Sequence, residues 1–275
     1  LRILGFACCP CCCTGRSCRN DPDLRAALRR AFYSWSVQLA LLQTIMLIAC
    51  LGVGGGFAPR VVNPMLGPWP GALVLLGAKN TALIVYRGQV LRLLGPMLLH
   101  AGWVHLGMNV FIQLRLGLYL ELRWGWRRWL ALYIISGVGS SVLSCIFLPD
   151  AIGVGSSGAL MGIIGAQLSE LWANWGQGTD EEHNMRLQQL VLSVVNVTIV
   201  ISFSFVPYVD WAAHVGGLVV GMVASFVVLG SEHAHARSDM RAGAVPLVDE
   251  EYAAGGDGGG GGHGGGGAGG APRGP

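Results

Sequence analysis

One serine, two histidines and an asparagine stand in stretches of sequence that otherwise carry almost no polarity. Ser157 lies in "IGVGSSGALMGIIGA" (152–166), His105 and Asn109 lie in "HAGWVHLGMN" (100–109), and His214 lies in "AAHVGGLVVG" (212–221). A serine hydroxyl that meets an imidazole can act as a nucleophile, with the histidine taking its proton. His105 and Asn109 are four residues apart and share one helical face. Both can donate hydrogen bonds toward an oxyanion. His100 is five residues from His105, falls on a different face and reads as structural. Ser156, Ser193 and Asn196 read as packing residues. A soluble-hydrolase elbow is a poor match, because Gly155-Ser156-Ser157-Gly158 is followed by Ala159 and no strand precedes the turn.

The elements that must position these groups follow from composition. Of the 275 residues, 52% are hydrophobic and 12% charged, and the mean hydropathy is +0.53, which describes a membrane protein. Apolar segments near the length of a bilayer crossing occur at 34–53, 94–119, 129–148, 152–173, 187–206 and 211–230. Six spanning helices are expected. With the N-terminus cytoplasmic, the inner segments hold Arg2, Arg16, Arg19, Arg25, Arg29, Arg30, Arg123, Arg127, Arg128, Arg186, Arg237, Arg241 and Arg273. Arg60, Lys79, Arg87 and Arg92 fall in one long outer loop, where the charge bias counts for less. Both termini are therefore expected on the cytoplasmic side.

Spans two, four and six then run from outside to inside, and at 1.5 Å per residue Ser157 and His214 fall within roughly 10 Å of the outer helix ends. Polar groups at such depth are costly and stand as functional hypotheses, although a lone serine beside glycine is ordinarily a packing residue. Gly158, Gly162 and Ala166 recur at intervals of four on span four, as Gly217, Gly221 and Ser225 do on span six. Such small-residue faces let two membrane helices approach closely. A serine–histidine contact between these helices is the expectation.

Three regions are expected: a cytoplasmic Cys/Arg-rich segment at 1–33, a six-span core at 34–230, and a flexible Gly-rich cytoplasmic tail at 231–275. The loop after the first span is about 40 residues long and reads as partly embedded and functional. Cys8, Cys9, Cys11, Cys12 and Cys13 beside arginines suit S-acylation; a plain solvated segment and a metal site are the other readings of that cluster. No paired C-x-x-C sets with matching histidines support zinc in that cluster, no cofactor is expected, and a net charge of +3 gives no reason to expect nucleic acid.

At these residues the chain resembles the rhomboid family. "GSSGALMGIIGA" is similar to its G-x-S-G motif, "HAGWVHLGMN" to its H-x-x-x-x-H-x-x-x-N segment, and "AHVGGLVVG" to its histidine helix. "NPMLGP" and "GAKNTALIVYRGQVLRLLGPMLLHAGWVH" are similar to the first loop and second helix of eukaryotic secretase-type members. The resemblance covers about 34–230 and implies an all-α six-transmembrane-helix rhomboid bundle. It implies an intramembrane serine endopeptidase without cofactor that cleaves single-span membrane proteins near the outer face. By resemblance, Ser157 is the nucleophile and His214 the base, with no third acidic member. His105, Asn109 and the Ser157 N–H are the oxyanion donors. Gly155 and Gly158 hold the serine turn, Gly217 and Gly221 the helix contact, and Arg92, Glu121 and Arg123 support the structure.

The chain departs from the family at Leu91, where Trp is usual before Arg92, and at Met161, where an aromatic often packs beneath the histidine. A seventh helix is not expected after residue 230. Mitochondrial members carry the serine on a fifth span; here it falls on the fourth, which implies the secretory pathway or plasma membrane. The alternative is a catalytically inactive rhomboid-like protein that binds membrane-protein clients, but such relatives usually lack the serine or the histidine. A transporter would need paired carboxylates on a broken helix, which are absent.

Overall fold

A computed structural model of the chain describes residues 22–204 and 210–230. The cysteine cluster and the Gly-rich tail lie outside the described residues. The described residues form an all-α bundle without strands, joined by one isolated bridge between Lys79 and Gly153. Helix α1 (Pro22–Phe32) leads to α2 (Trp35–Val53), and two short loop helices follow, α3 (Pro70–Leu75) and α4 (Thr81–Arg87). Next come α5 (Trp103–Ile112), a π-helical turn (Gln113–Gly117), α6 (Leu118–Trp124), α7 (Trp126–Phe147), α8 (Ser157–Ala173), α9 (Asp180–Phe203) and α10 (Trp211–Val228).

Among the described residues, four helices are long and apolar enough by themselves to cross a membrane: Trp35–Val53, Trp126–Phe147, Asp180–Ser202 and Trp211–Val228. The other two expected spans differ for identifiable reasons. The second apolar segment, expected from residue 94, becomes helical only at Trp103. Residues 90–97 instead make two 3₁₀ turns: Pro96 supplies no amide, and Gly95 packs so close to the Gly77 carbonyl that a Cβ there would overlap it. The fourth segment starts its helix at Ser157 and not at 152. Every residue from Gly158 to Gln167 is buried, so α8 is the bundle's central helix, enclosed by protein on all faces.

The long loop is anchored by backbone acceptors. Asn63 Nδ2 donates to the Pro68 and Ala101 carbonyls at 2.9 and 2.8 Å. Arg92 Nη1 donates to Val74 O and Ala78 O at 2.6 and 3.0 Å. Lys79 is fully buried, and its Nζ donates to the carbonyls of Ser144, Leu148 and Ala151 at 3.3, 2.7 and 2.9 Å. That ammonium ties the loop to the end of α7 and the turn entering α8. Desolvation lowers its pKa below the usual lysine value, with Asp210 opposing the shift.

At the other end of the bundle, Glu121 and Arg123 each find a separate partner. Glu121, 4% exposed, accepts from Trp35 N, Ser36 N and Ser36 Oγ at 2.7, 2.8 and 2.7 Å. It thereby satisfies the first amides of α2, which no intrahelical carbonyl can reach. Arg123 pairs with Glu170 on α8 at 3.0 Å. Glu121→Ala leaves the part-buried Trp35 amide and the buried Ser36 amide and hydroxyl without their acceptor, and a loss of about 2–4 kcal/mol is expected. Thermal unfolding of the detergent-solubilised protein checks it; an unchanged midpoint would mean that other groups cap α2.

Candidate active site

Residues 152–156 deliver Ser157 to the first position of α8. Gly155 has φ +113°, a conformation that L side chains rarely adopt. A Cβ there would also come within 2.6 Å of His105 Cε1 and 2.8 Å of its Nε2. The Gly155 amide donates to Pro96 O at 2.9 Å, which pins the turn to the 3₁₀ segment. Ser156 is fully buried, and its hydroxyl donates to Asn109 Oδ1 at 3.3 Å. It orients Asn109 and is more than a small neighbour of Ser157.

His214 reaches the same place from α10. Asp210 caps that helix by accepting from Ala213 N at 2.9 Å, and its other carboxyl oxygen accepts from Ser144 Oγ. The helices touch backbone to backbone. A Cβ on Gly217 would overlap the Gly158 carbonyl, and one on Gly221 the Gly162 carbonyl. This approach brings Ser157 Oγ to 2.7 Å from His214 Nε2, with His214 only 4% exposed.

The donors stand beside that pair. Asn109 Nδ2 donates one hydrogen to His105 O at 2.9 Å and holds a second. His105 Nδ1 lies 3.4 Å from the Ala101 amide as its acceptor. That contact leaves the ring proton on Nε2, on the edge of the ring that faces the Gly155 turn. The Ser157 N–H opens a helix, where amides lack intrahelical partners and the dipole favours negative charge. His100 precedes α5, so no helical face relates it to His105. It is fully buried, with its ring edge-on to His105 at a centroid distance of 5.3 Å.

A model of the Rhomboid domain matches residues 87–231, more than half of the chain. The chain belongs to the rhomboid family. It is 40% identical over 173 residues to RHOMBOID-like protein 6, mitochondrial, of Arabidopsis thaliana, a match covering 63% of this chain and 55% of that one. To RHOMBOID-like protein 7 of the same organism it is 40% identical over 167 residues, 61% of this chain and 52% of the relative. To Rhomboid-like protease 2 of Toxoplasma gondii it is 32% identical over 191 residues, 68% and 62%. The chain thus spans about half the length of its plant relatives. Family and apolar helices together make this rhomboid an integral membrane protein.

Two cavities meet at Ser157 in this rhomboid. The smaller is polar and runs behind it past Ser140, Ser144, Lys79 and Asp210. The other, about 270 Å³, is walled by Met65, Val104, Met108, Ile112 and Val200, and Ser157, His214, His105 and Asn109 also line it. Several residues of the site escape sequence reading. Lys79 looks like an ordinary loop lysine, and Ser204, beside His214 Nδ1 at 2.5 Å, is one serine among many. Asp210 carried a usable signal, since an aspartate just before an apolar helical run is an N-cap candidate.

Proposed function

We propose that this rhomboid is an intramembrane serine endopeptidase acting through Ser157 and His214. The observation that carries this reading is the 2.7 Å contact between Ser157 Oγ and His214 Nε2 inside an apolar bundle. His214 Nε2 takes the hydroxyl proton as Ser157 Oγ adds to a peptide carbonyl. The resulting oxyanion is held by the Ser157 N–H, His105 Nε2–H and the second Asn109 amide hydrogen. Collapse expels the amine, which takes its proton from His214, and water then hydrolyses the acyl-enzyme with His214 again as base.

Substrates are single-span membrane proteins. Peptide bonds of a membrane helix are shielded by their own hydrogen bonds, so cleavage requires a segment that unwinds easily, such as one weakened by Gly or Pro. The apolar cavity at Ser157 suits an apolar side chain next to the scissile bond. Cleavage falls near the outer face, in the plasma membrane or secretory pathway, with both termini cytoplasmic. The name of the Toxoplasma relative supports a proteolytic reading.

The test uses purified protein in liposomes with a single-span substrate bearing a Gly-Pro pair in its outer half. Wild type is expected to cleave within the span, and Asn109→Ala to lower kcat by about 10²- to 10³-fold. A folded wild type that cleaves nothing would overturn the protease reading in favour of client binding. Full turnover by Asn109→Ala would remove Asn109 from the oxyanion site.

A further inference from the structure

His214 is held at both ring nitrogens. Its Nε2 meets Ser157 on α8, and its Nδ1 lies 2.5 Å from Ser204 Oγ at the end of α9. Ser204 is 8% exposed and His214 4%, so the contact lies between two buried side chains. The Ser204 hydroxyl is also 3.0 Å from the Val200 carbonyl oxygen. Back-bonding to the carbonyl four residues earlier is common for serine in apolar helices. It accounts for the Val200 contact but not for the imidazole.

Counting protons gives the chain a direction. A carbonyl only accepts, so in one of the two arrangements open to this contact the single Ser204 proton goes to Val200 O, and an oxygen lone pair faces Nδ1. Nδ1 must then carry the ring proton, which leaves a lone pair on Nε2 toward Ser157. The order is Ser157 O–H to Nε2, Nδ1–H to Ser204 Oγ, and Ser204 O–H to Val200 O, with each proton used once. The reverse arrangement, Ser204 donating to Nδ1, puts a proton on Nε2 and leaves no base facing Ser157.

The other charged and titratable groups around His214 do not replace this contact. Asp210, on its own helix, is engaged by Ala213 N and Ser144, Lys79 by three carbonyls, and His105 Nδ1 by Ala101 N. We propose that Ser204 is a positioning residue, the third member of the hydrogen-bonded chain, which holds His214 in the Nδ1–H tautomer with Nε2 free to accept from Ser157. The proposal rests on the protease reading, which requires a lone pair on Nε2, while the tautomer can be read directly whatever the activity. Ser157 and His214 perform the chemistry, and Ser204 sets the histidine's proton and ring plane, the role that the orienting member of a triad fills elsewhere.

The test uses the full chain in detergent with ¹⁵N-labelled histidine, comparing wild type with Ser204→Ala, Ser204→Val and Ser204→Thr. In wild type, the imidazole signals that vanish in His214→Ala are expected to report Nδ1 protonated and Nε2 unprotonated. Ser204→Ala is expected to mix the two tautomers. In liposomes, Ser204→Ala and Ser204→Val are expected to lower kcat by about tenfold or more with KM unchanged, and Ser204→Thr to restore it. A wild-type Nε2–H tautomer, a wild-type kcat in Ser204→Ala, or equal loss in the Thr and Val variants would overturn the proposal. An inactive wild type with Nδ1 protonated would remove the protease reading and leave the hydrogen-bonded chain standing.

Discussion

His214→Ala is expected to lower substrate cleavage by about 10⁴- to 10⁶-fold, because nucleophile and base act as a unit and the loss of either removes most of their joint contribution. The imidazole is the hydrogen-bond partner of the Ser157 hydroxyl among the described residues, and its removal takes away the group that accepts the proton during attack. The bundle itself should persist. The contact between α8 and α10 is made by the glycine backbones at 158, 162, 217 and 221, which the substitution leaves unchanged. Turnover of the liposome-reconstituted variant, read beside its thermal midpoint, separates the two effects. A folded variant with a loss under about tenfold would assign the base elsewhere.

Gly217→Val is expected to fail differently, by losing the fold around the site. The first carbon of any side chain at 217 falls on the Gly158 carbonyl, with Gly158 Cα 3.1 Å away. The obstacle is backbone, which no rotamer change can relieve. Either α8 and α10 separate, which parts Ser157 from His214, or the bundle does not assemble. A destabilisation above about 3 kcal/mol is expected, at the upper end of overpacking effects. Gly107→Ala on α5 is the control: nothing lies within 4 Å of a Cβ there, and its unfolding midpoint should match wild type. Equal midpoints for Gly217→Val and Gly107→Ala would mean that the close helix approach does not hold the bundle together.

The parts of this fold legible in sequence were those set by local chemistry. Helices α2, α7, α9 and α10 are runs of apolar residues that need little tertiary information. The helix pair carrying Ser157 and His214 announced itself through small residues four apart, a spacing that only matters when two backbones touch. The start of the second span was hidden because Leu93, Leu94, Leu98 and Leu99 read as a continuing helix. What breaks it is Pro96, which supplies no amide, together with the close approach of Gly95 to the Gly77 carbonyl in the preceding loop. That early helix also misplaced His100, whose relation to His105 is ring packing and not a helical face.

The polar groups that orient the site were the least legible. Ser204 meets His214 across the α9–α10 connection, Lys79 finds three carbonyls more than sixty residues away, and Ser156 turns toward Asn109 on another helix. Each of these residues has an ordinary sequence neighbourhood. Its role comes only from which carbonyl or ring the fold sets beside it. The same holds for Glu121, whose partners lie on α2 and not on the neighbouring Arg123.

The most direct measurement is labelling of the purified, detergent-solubilised protein with a fluorophosphonate probe, comparing wild type, Ser157→Ala and His214→Ala. A probe of this kind reports the nucleophile without any knowledge of the substrate. The expected result is covalent labelling of wild type at Ser157, with none in either variant. A folded wild type that does not react, or labelling that persists in Ser157→Ala, would contradict the account, since the serine and histidine held 2.7 Å apart would then not form a working nucleophile.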